Sequence, residues 1–173
     1  MRTSRYAFGA LAAASALALS ACGGGGGDAG SEGEGGGDGV RIGIKYDQPG
    51  LGFQEGNEFT GFDVDVAKYV AGELGYAEDQ IEWVSAPSAN RETLLETGQV
   101  DMIFATYSIT DARKETVAFA GPYFVAGQDL LVRADDNSIQ GPADLDGKNL
   151  CSVTGSTSAV NVQDEVPGVT LVE

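Results

Sequence analysis

The chain has 173 residues, 26 acidic against 10 basic, and a net charge of −16. That excess of negative charge argues against binding nucleic acid or anionic lipid headgroups through a basic surface. There is no histidine, so the commonest general base and metal ligand is missing, and no cofactor or metal is expected.

Residues 1–21 read as a secretory signal. Arg2 and Arg5 form a positive n-region, and residues 6–19 form an alanine- and leucine-rich apolar run. This run is shorter than the about 20 residues a membrane span needs, and the separated arginines do not make a twin-arginine signal. Leu19-Ser20-Ala21-Cys22 resembles the lipobox of bacterial lipoproteins. The resemblance implies a diacylglycerol on the Cys22 thiol and a protein anchored by lipid to the outer face of the cell membrane, where each buried acyl CH₂ adds about 0.8 kcal/mol. Residues 22–39 are glycine with scattered acids and cannot bury a core. They read as a tether with a reach of about 20–25 Å. The about 134 residues that remain are enough for one ordinary domain. With Cys22 lipidated, Cys151 is left without a partner.

From residue 40 the pattern is α/β. Residues 40–45 alternate Val40, Ile42, Ile44 and read as a strand. Residues 46–60 read as a long loop with Pro49-Gly50 and Gly56-Asn57 turns. Residues 61–75 read as a helix in which Asp63 serves as N-cap, Asp65 lies in the first turn, and Val66, Val70 and Leu74 follow helical spacing. Gly75 is placed to terminate it. Strands are expected at 81–84 and 102–105, the latter as a central strand buried on both faces because its run is continuously apolar. Short helices are expected at 88–97 and 110–115. Further strands are expected at 117–120, 128–133, 149–153 and 169–172, with a helical turn at 142–146 and a helix at 156–166. The first half is thus β-α-β-α-β, and a second α/β unit begins near residue 128. Phe62, Tyr69, Phe104, Phe119 and Tyr123 are expected in the core.

Beyond Cys22 the basic residues are Arg41, Lys45, Lys68, Arg91, Arg113, Lys114, Arg133 and Lys148. Arg91 and Arg113 fall in the first turns of two helical segments, where the helix dipole disfavours cations. Three helix N-termini follow strands: Ser88-Ala89-Asn90-Arg91, Thr110-Asp111-Ala112-Arg113 and Gly155-Ser156-Thr157-Ser158. Such N-termini meet ligands beyond the carboxyl ends of strands. Free N–H groups, hydroxyls and guanidinium forks there can hold carboxylates. Two arginines suit a ligand with two negative groups. The plainer alternative pairs them with Glu92, Glu96, Asp111 or Glu115.

Gly61-Phe62-Asp63-Val64-Asp65-Val66, followed by Val70-Ala71 and Leu74, resembles the signature of the family 3 extracellular solute-binding proteins, the polar amino-acid receptors of ABC importers. Residues 91–123 resemble the same family throughout. Residues 45–52 (KYDQPGLG) and 151–158 (CSVTGSTS) resemble its glutamate-binding lipoproteins from Gram-positive bacteria. The resemblance implies an α/β, two-lobed, periplasmic-binding-protein-like type II fold, with residues 40–127 as most of one lobe and 128–173 as the start of the second. It implies that Arg113 clamps the ligand's α-carboxylate with the hydroxyl and N–H of Ser108, and that the Thr106 carbonyl accepts from the α-ammonium. Arg91, with Lys45 as a second candidate, would meet a side-chain carboxylate. Ser156 and Thr157 would close over the ligand from the second lobe.

The partners so implied are an amino acid, glutamate foremost, and the permease and ATPase of the importer, with the receptor itself a monomer. Family members have a complete second lobe, which supplies an acid for the α-ammonium, and the glutamate-binding members carry a later cysteine that could pair with Cys151. The sequence stops within that lobe, so it reads as truncated, and the polypeptide alone is expected to bind weakly. Two other classes fit the scaffold: an enzyme such as a dehydratase or cell-wall lytic domain, and the sensor domain of a signalling protein. The residues show no nucleophile–base pairing for the former.

Overall fold

Val40, Ile42 and Ile44 alternate along a strand and share one apolar face, and this strand organises the fold. In the computed structural model, which describes residues 39–173, it is β1 (Val40–Ile44), with all three side chains buried. The expected signal sequence, the expected lipidation site Cys22 and nearly all of the tether lie outside the described residues. Gly43 is required in β1 because a Cβ there would sit 2.9 Å from Ile103 Cγ1 and 3.0 Å from Ala86 Cβ. β1 pairs in parallel with two later strands, which puts it in the centre of a three-stranded sheet.

Residues 46–60 are not a loop. They form an antiparallel meander, β2 (Asp47–Gln48), β3 (Gly52–Glu55) and β4 (Glu58–Thr60). The turn signals at Gly50 and Gly56, both at positive φ, close hairpins rather than ending structure. Phe59 on β4 packs against Tyr46 and Trp83, with ring centroids 5.2 and 5.6 Å away.

Helix α1 (Phe62–Glu73) begins after Gly61, whose φ of 113° and tight approach to the Leu51 backbone leave no room for a side chain. Its C-terminus is a Schellman motif: the Tyr76 N–H donates to Ala71 O and the Gly75 N–H to Gly72 O, with Gly75 at φ 90°. Val64, Ala67 and Ala71 form the buried stripe, Val66 and Val70 pack at its margin, and Leu74 is half-exposed. Asp63 does not cap the helix. It lies inside the first turn and is buried, with its carboxylate turned toward the sheet.

β5 (Ile81–Ser85) and β6 (Met102–Phe104) flank β1, so the expected central strand is an edge of this sheet. Met102 and Ile103 are half-buried, as fits an edge strand, and only Phe104 is buried. Helix α2 (Arg91–Glu96) starts three residues later than expected, after a turn at 88–90. In α3 (Asp111–Lys114) the Thr110 hydroxyl accepts from the Arg113 N–H at 3.2 Å, an N-cap.

Residues 117–120 and 128–133 were expected as strands and are not. Leu131 is fully exposed. Alternation alone makes no strand without a neighbour to accept its ladder, and among the described residues neither segment has one. Tyr69, expected in the core, is 69 % exposed, while Phe62 and Tyr123 sit at the surface margin. A 3₁₀ turn at Pro142–Leu145 leads into β7 (Asn149–Cys151), α4 (Thr157–Glu165) and β8 (Thr170–Val172), with β7 and β8 parallel. Ser156 caps α4 through its hydroxyl, which accepts from the Ala159 N–H at 3.2 Å. One apolar cluster is built on β1 and α1; a second gathers Leu145, Val162, Val166 and Val169. Among the described residues no helix is long and apolar enough to cross a membrane.

Candidate functional site

The carboxyl ends of β1, β5 and β6 point the same way because all three strands are parallel. Lys45 follows β1, residues 86–91 follow β5, and residues 105–108 follow β6. Opposite them stand the end of β7 and the N-terminus of α4. Together they line a cavity of about 400 Å³ that includes six expected residues: Lys45, Arg91, Thr106, Ser108, Ser156 and Thr157. Gln48, Ser88 and residues 151–153 and 158 complete the wall. Across it, the Ser108 and Thr157 hydroxyls hydrogen-bond at 2.9 Å.

Arg91 and Lys45 carry the positive charge of this cavity, and both are almost wholly buried, at 2 % and 4 % exposure. The Arg91 Nη1 donates to Ala105 O at 3.0 Å, while its buried Nε has no partner among the described residues. Its Cζ lies 4.1 Å from the Tyr107 ring centroid. Among the described residues neither Arg91 nor Lys45 forms an ion pair. Burial lowers the Arg91 pKa, and the neighbouring Arg113 lowers it further. Burial also lowers that of Lys45, against the pull of Asp47 and with the push of Arg91. Two buried cations without a counter-ion are costly unless an anion arrives.

Arg113 behaves differently. Its Nε pairs with Glu92 Oε1 at 3.1 Å, its Nη1 donates to Ser108 O and its Nη2 to Gly155 O, both at 3.0 Å. It borders the cavity without lining it. The plain alternative of pairing with a nearby acid therefore holds for Arg113 and fails for Arg91.

Thr106 has φ 47°, rare for a β-branched residue. Its N–H donates to Asp63 Oδ2 at 3.0 Å and its hydroxyl lies 3.1 Å from Gln48 Oε1. The Tyr123 hydroxyl donates to Asp63 Oδ1 at 2.8 Å. The buried carboxylate thus ties α1 to the strained turn after β6, a feature that places backbone at a site. Sequence reading missed it because an acid in a first turn already has an explanation. Ser88 was signalled by the helix N-terminus it heads, whereas Gln48 was hidden in the supposed loop. Cys151 is exposed and unpaired among the described residues.

Burial raises the pKa values of Tyr107 and Tyr123, with the Glu92 and Asp63 carboxylates adding to the effect. Tyr107 Oη feels the Glu92 charge without a hydrogen bond of good geometry. Because their folded values lie above tyrosine's ordinary 10.0, the stability they contribute is complete below that pH and is lost as pH rises through the folded values. Lys45, whose folded value is lowered, acts in the opposite sense. The two large tyrosine shifts outweigh one lysine, so urea denaturation midpoints should fall steadily above about pH 10. A flat profile would contradict the burial assigned to these rings.

A parallel sheet with an anion-ready cavity beyond its strand ends, faced by a second α/β element, is the arrangement of an α/β fold of periplasmic-binding-protein type II. The solved structure of an ancestral arginine-binding protein bound to glutamine is similar to it: TM-score 0.72, 34% identity, covering 78% of this chain and 59% of that one. Residues 40–168 match the bacterial extracellular solute-binding proteins, family 3, and the chain belongs to that family. The glutamate-binding protein GluB of Corynebacterium efficiens is 54% identical over 140 residues, covering 78% of this chain and 48% of the relative. A glutamine-binding protein of Geobacillus stearothermophilus is 38% identical over 135 residues, covering 76% and 51%. The chain spans about half the length of the curated relatives it matches.

Proposed function

We propose that the protein is the receptor of an ABC-type importer, binding an acidic amino acid, glutamate foremost, outside the cell and passing it to a permease driven by an ATPase subunit. The observation that carries this reading is the pair Arg91 and Lys45, buried in a cavity wall with no acidic partner among the described residues. A side-chain carboxylate would supply the missing counter-charge, and Arg is suited to take it bidentately. The Thr106 carbonyl and Ser108 would receive the α-ammonium and α-carboxylate. Arg113 would join them by exchanging its bond to Gly155 O for the carboxylate. Ser156 and Thr157 would bring hydroxyls and the positive end of α4.

The relatives are named as binding proteins, which supports a receptor rather than an enzyme. The two relatives differ in name over glutamate and glutamine, and the higher identity is to the glutamate-binding one. We place the protein at the outer face of the cell membrane, held as a monomer by lipid on Cys22, and treat residues 40–127 and 128–173 as portions of two lobes.

Amide-resonance titration reads even millimolar binding, so it suits a chain of this length. L-Glutamate should shift resonances of residues lining the cavity at lower concentration than L-glutamine or L-aspartate. Glutamine binding as tightly as glutamate would overturn the acidic-ligand reading.

A further inference from the structure

Tyr107 lies between Thr106 and Ser108, yet it is not part of the cavity wall. Both arginines of the site rest against its ring: Arg91 Cζ is 4.1 Å from the centroid and Arg113 Cζ 4.8 Å. Phe119 packs against it in an edge-type arrangement, 5.0 Å between centroids. Two guanidiniums brought to one ring repel each other, and the negative face of an aromatic ring offsets part of that repulsion. The Tyr107 hydroxyl is buried and has no hydrogen-bond partner among the described residues, so the ring and not the hydroxyl is the useful part. Glu92 adds the second restraint. It holds the Nε edge of Arg113, which leaves the two Nη groups turned toward Ser108 O and Gly155 O. A lysine could not be oriented this way, because an ammonium has no edge to fix.

We propose that Tyr107 and Glu92 are positioning residues of the carboxylate site, the Tyr107 ring holding the Arg91 and Arg113 guanidiniums close together and Glu92 setting the direction in which Arg113 presents its fork. For the ligand this rests on the receptor reading above; for the arginine geometry it stands alone. The consequence is a division of labour. Tyr107 serves both arginines and therefore affects affinity and selectivity, while Glu92 serves Arg113 and affects affinity only.

The test records the arginine Nε–H resonances of the 173-residue chain and repeats the titration with L-glutamate and L-glutamine. Ring-current shifts should move both the Arg91 and Arg113 signals upfield in the wild type and persist in Tyr107→Phe. In Tyr107→Leu both signals should return toward ordinary positions. Glutamate binding should then weaken about tenfold, with the preference over glutamine reduced, while Tyr107→Phe restores it to within about twofold. Glu92→Gln should move the Arg113 signal more than that of Arg91 and weaken both amino acids by the same factor. Tyr107→Phe losing as much as Tyr107→Leu, or Tyr107→Leu leaving both arginine signals in place, would overturn the proposal. Should Tyr107→Leu not fold, the wild-type spectrum decides: two ring-shifted signals support the proposal and an unshifted one overturns it. Should the wild type respond to neither amino acid, the receptor reading fails while the arginine signals still judge the positioning pair.

Discussion

Replacing Arg91 with methionine should make the protein more stable and a worse receptor at once. Arg91 is 2 % exposed, donates one hydrogen bond to Ala105 O, and leaves its Nε unpartnered. Removing a buried, uncompensated cation relieves a desolvation penalty of several kcal/mol. Against this stand one orphaned carbonyl and the lost contact with Tyr107, together about 2 kcal/mol. The expected net gain is about 1 kcal/mol or more, visible as a higher urea midpoint with unchanged slope. Glutamate affinity should fall by about 3 kcal/mol, roughly 100-fold, the cost of removing one partner from a buried charge pair. A variant that loses stability would mean that Arg91 is structural.

Asp63→Ala should be the most damaging change to the fold. The substitution leaves the Thr106 N–H and the Tyr123 hydroxyl without their acceptor, at a cost of about 3 kcal/mol. It also frees Thr106 from its positive-φ turn, so binding should weaken along with stability. Asp65→Ala is the matched control. That acid is exposed in the same first turn and contributes only dipole compensation, about 0.5 kcal/mol. Thermal denaturation of the two variants side by side separates these roles, and equal losses would contradict the assignment to Asp63.

Asp63 and Asp65 also show where sequence reading stops. Both acids fit the start of a helix, and helical spacing cannot say which one turns toward Thr106, 43 residues away. Local signals were legible: Gly75 as the αL stop of α1, helix starts at Thr110 and Ser156, and the three strand-to-helix corners that hold the cavity. The family resemblance supplied what spacing could not, by gathering Lys45, Arg91, Thr106, Ser108, Ser156 and Thr157 around one ligand; these six do line one cavity. Non-local facts stayed hidden. The meander at 46–60 depends on pairing between segments too short to read as strands, and β1 is central only because β5 and β6 choose its two edges. Residues 117–120 and 128–133 carry a strand pattern whose partner is not among the described residues.

Tyr107 illustrates the same limit from the side of the site. A tyrosine between two polar residues carries no periodic signal, and its contact with two guanidiniums exists only once α2 and α3 have folded onto the turn after β6. Arg113 differs from expectation in a related way. Its fork is already engaged by Ser108 O and Gly155 O, so ligand binding there is an exchange of partners rather than the filling of an empty clamp.

The central claim is that Arg91 selects an acidic side chain. The most direct measurement is the ratio of dissociation constants for L-glutamine and L-glutamate, compared between the wild type and Arg91→Met by amide-resonance titration. The account predicts a ratio well above one in the wild type that collapses toward one in the variant, because glutamate loses its counter-charge and glutamine loses little. Equal weakening of both amino acids, with the ratio unchanged, would contradict it.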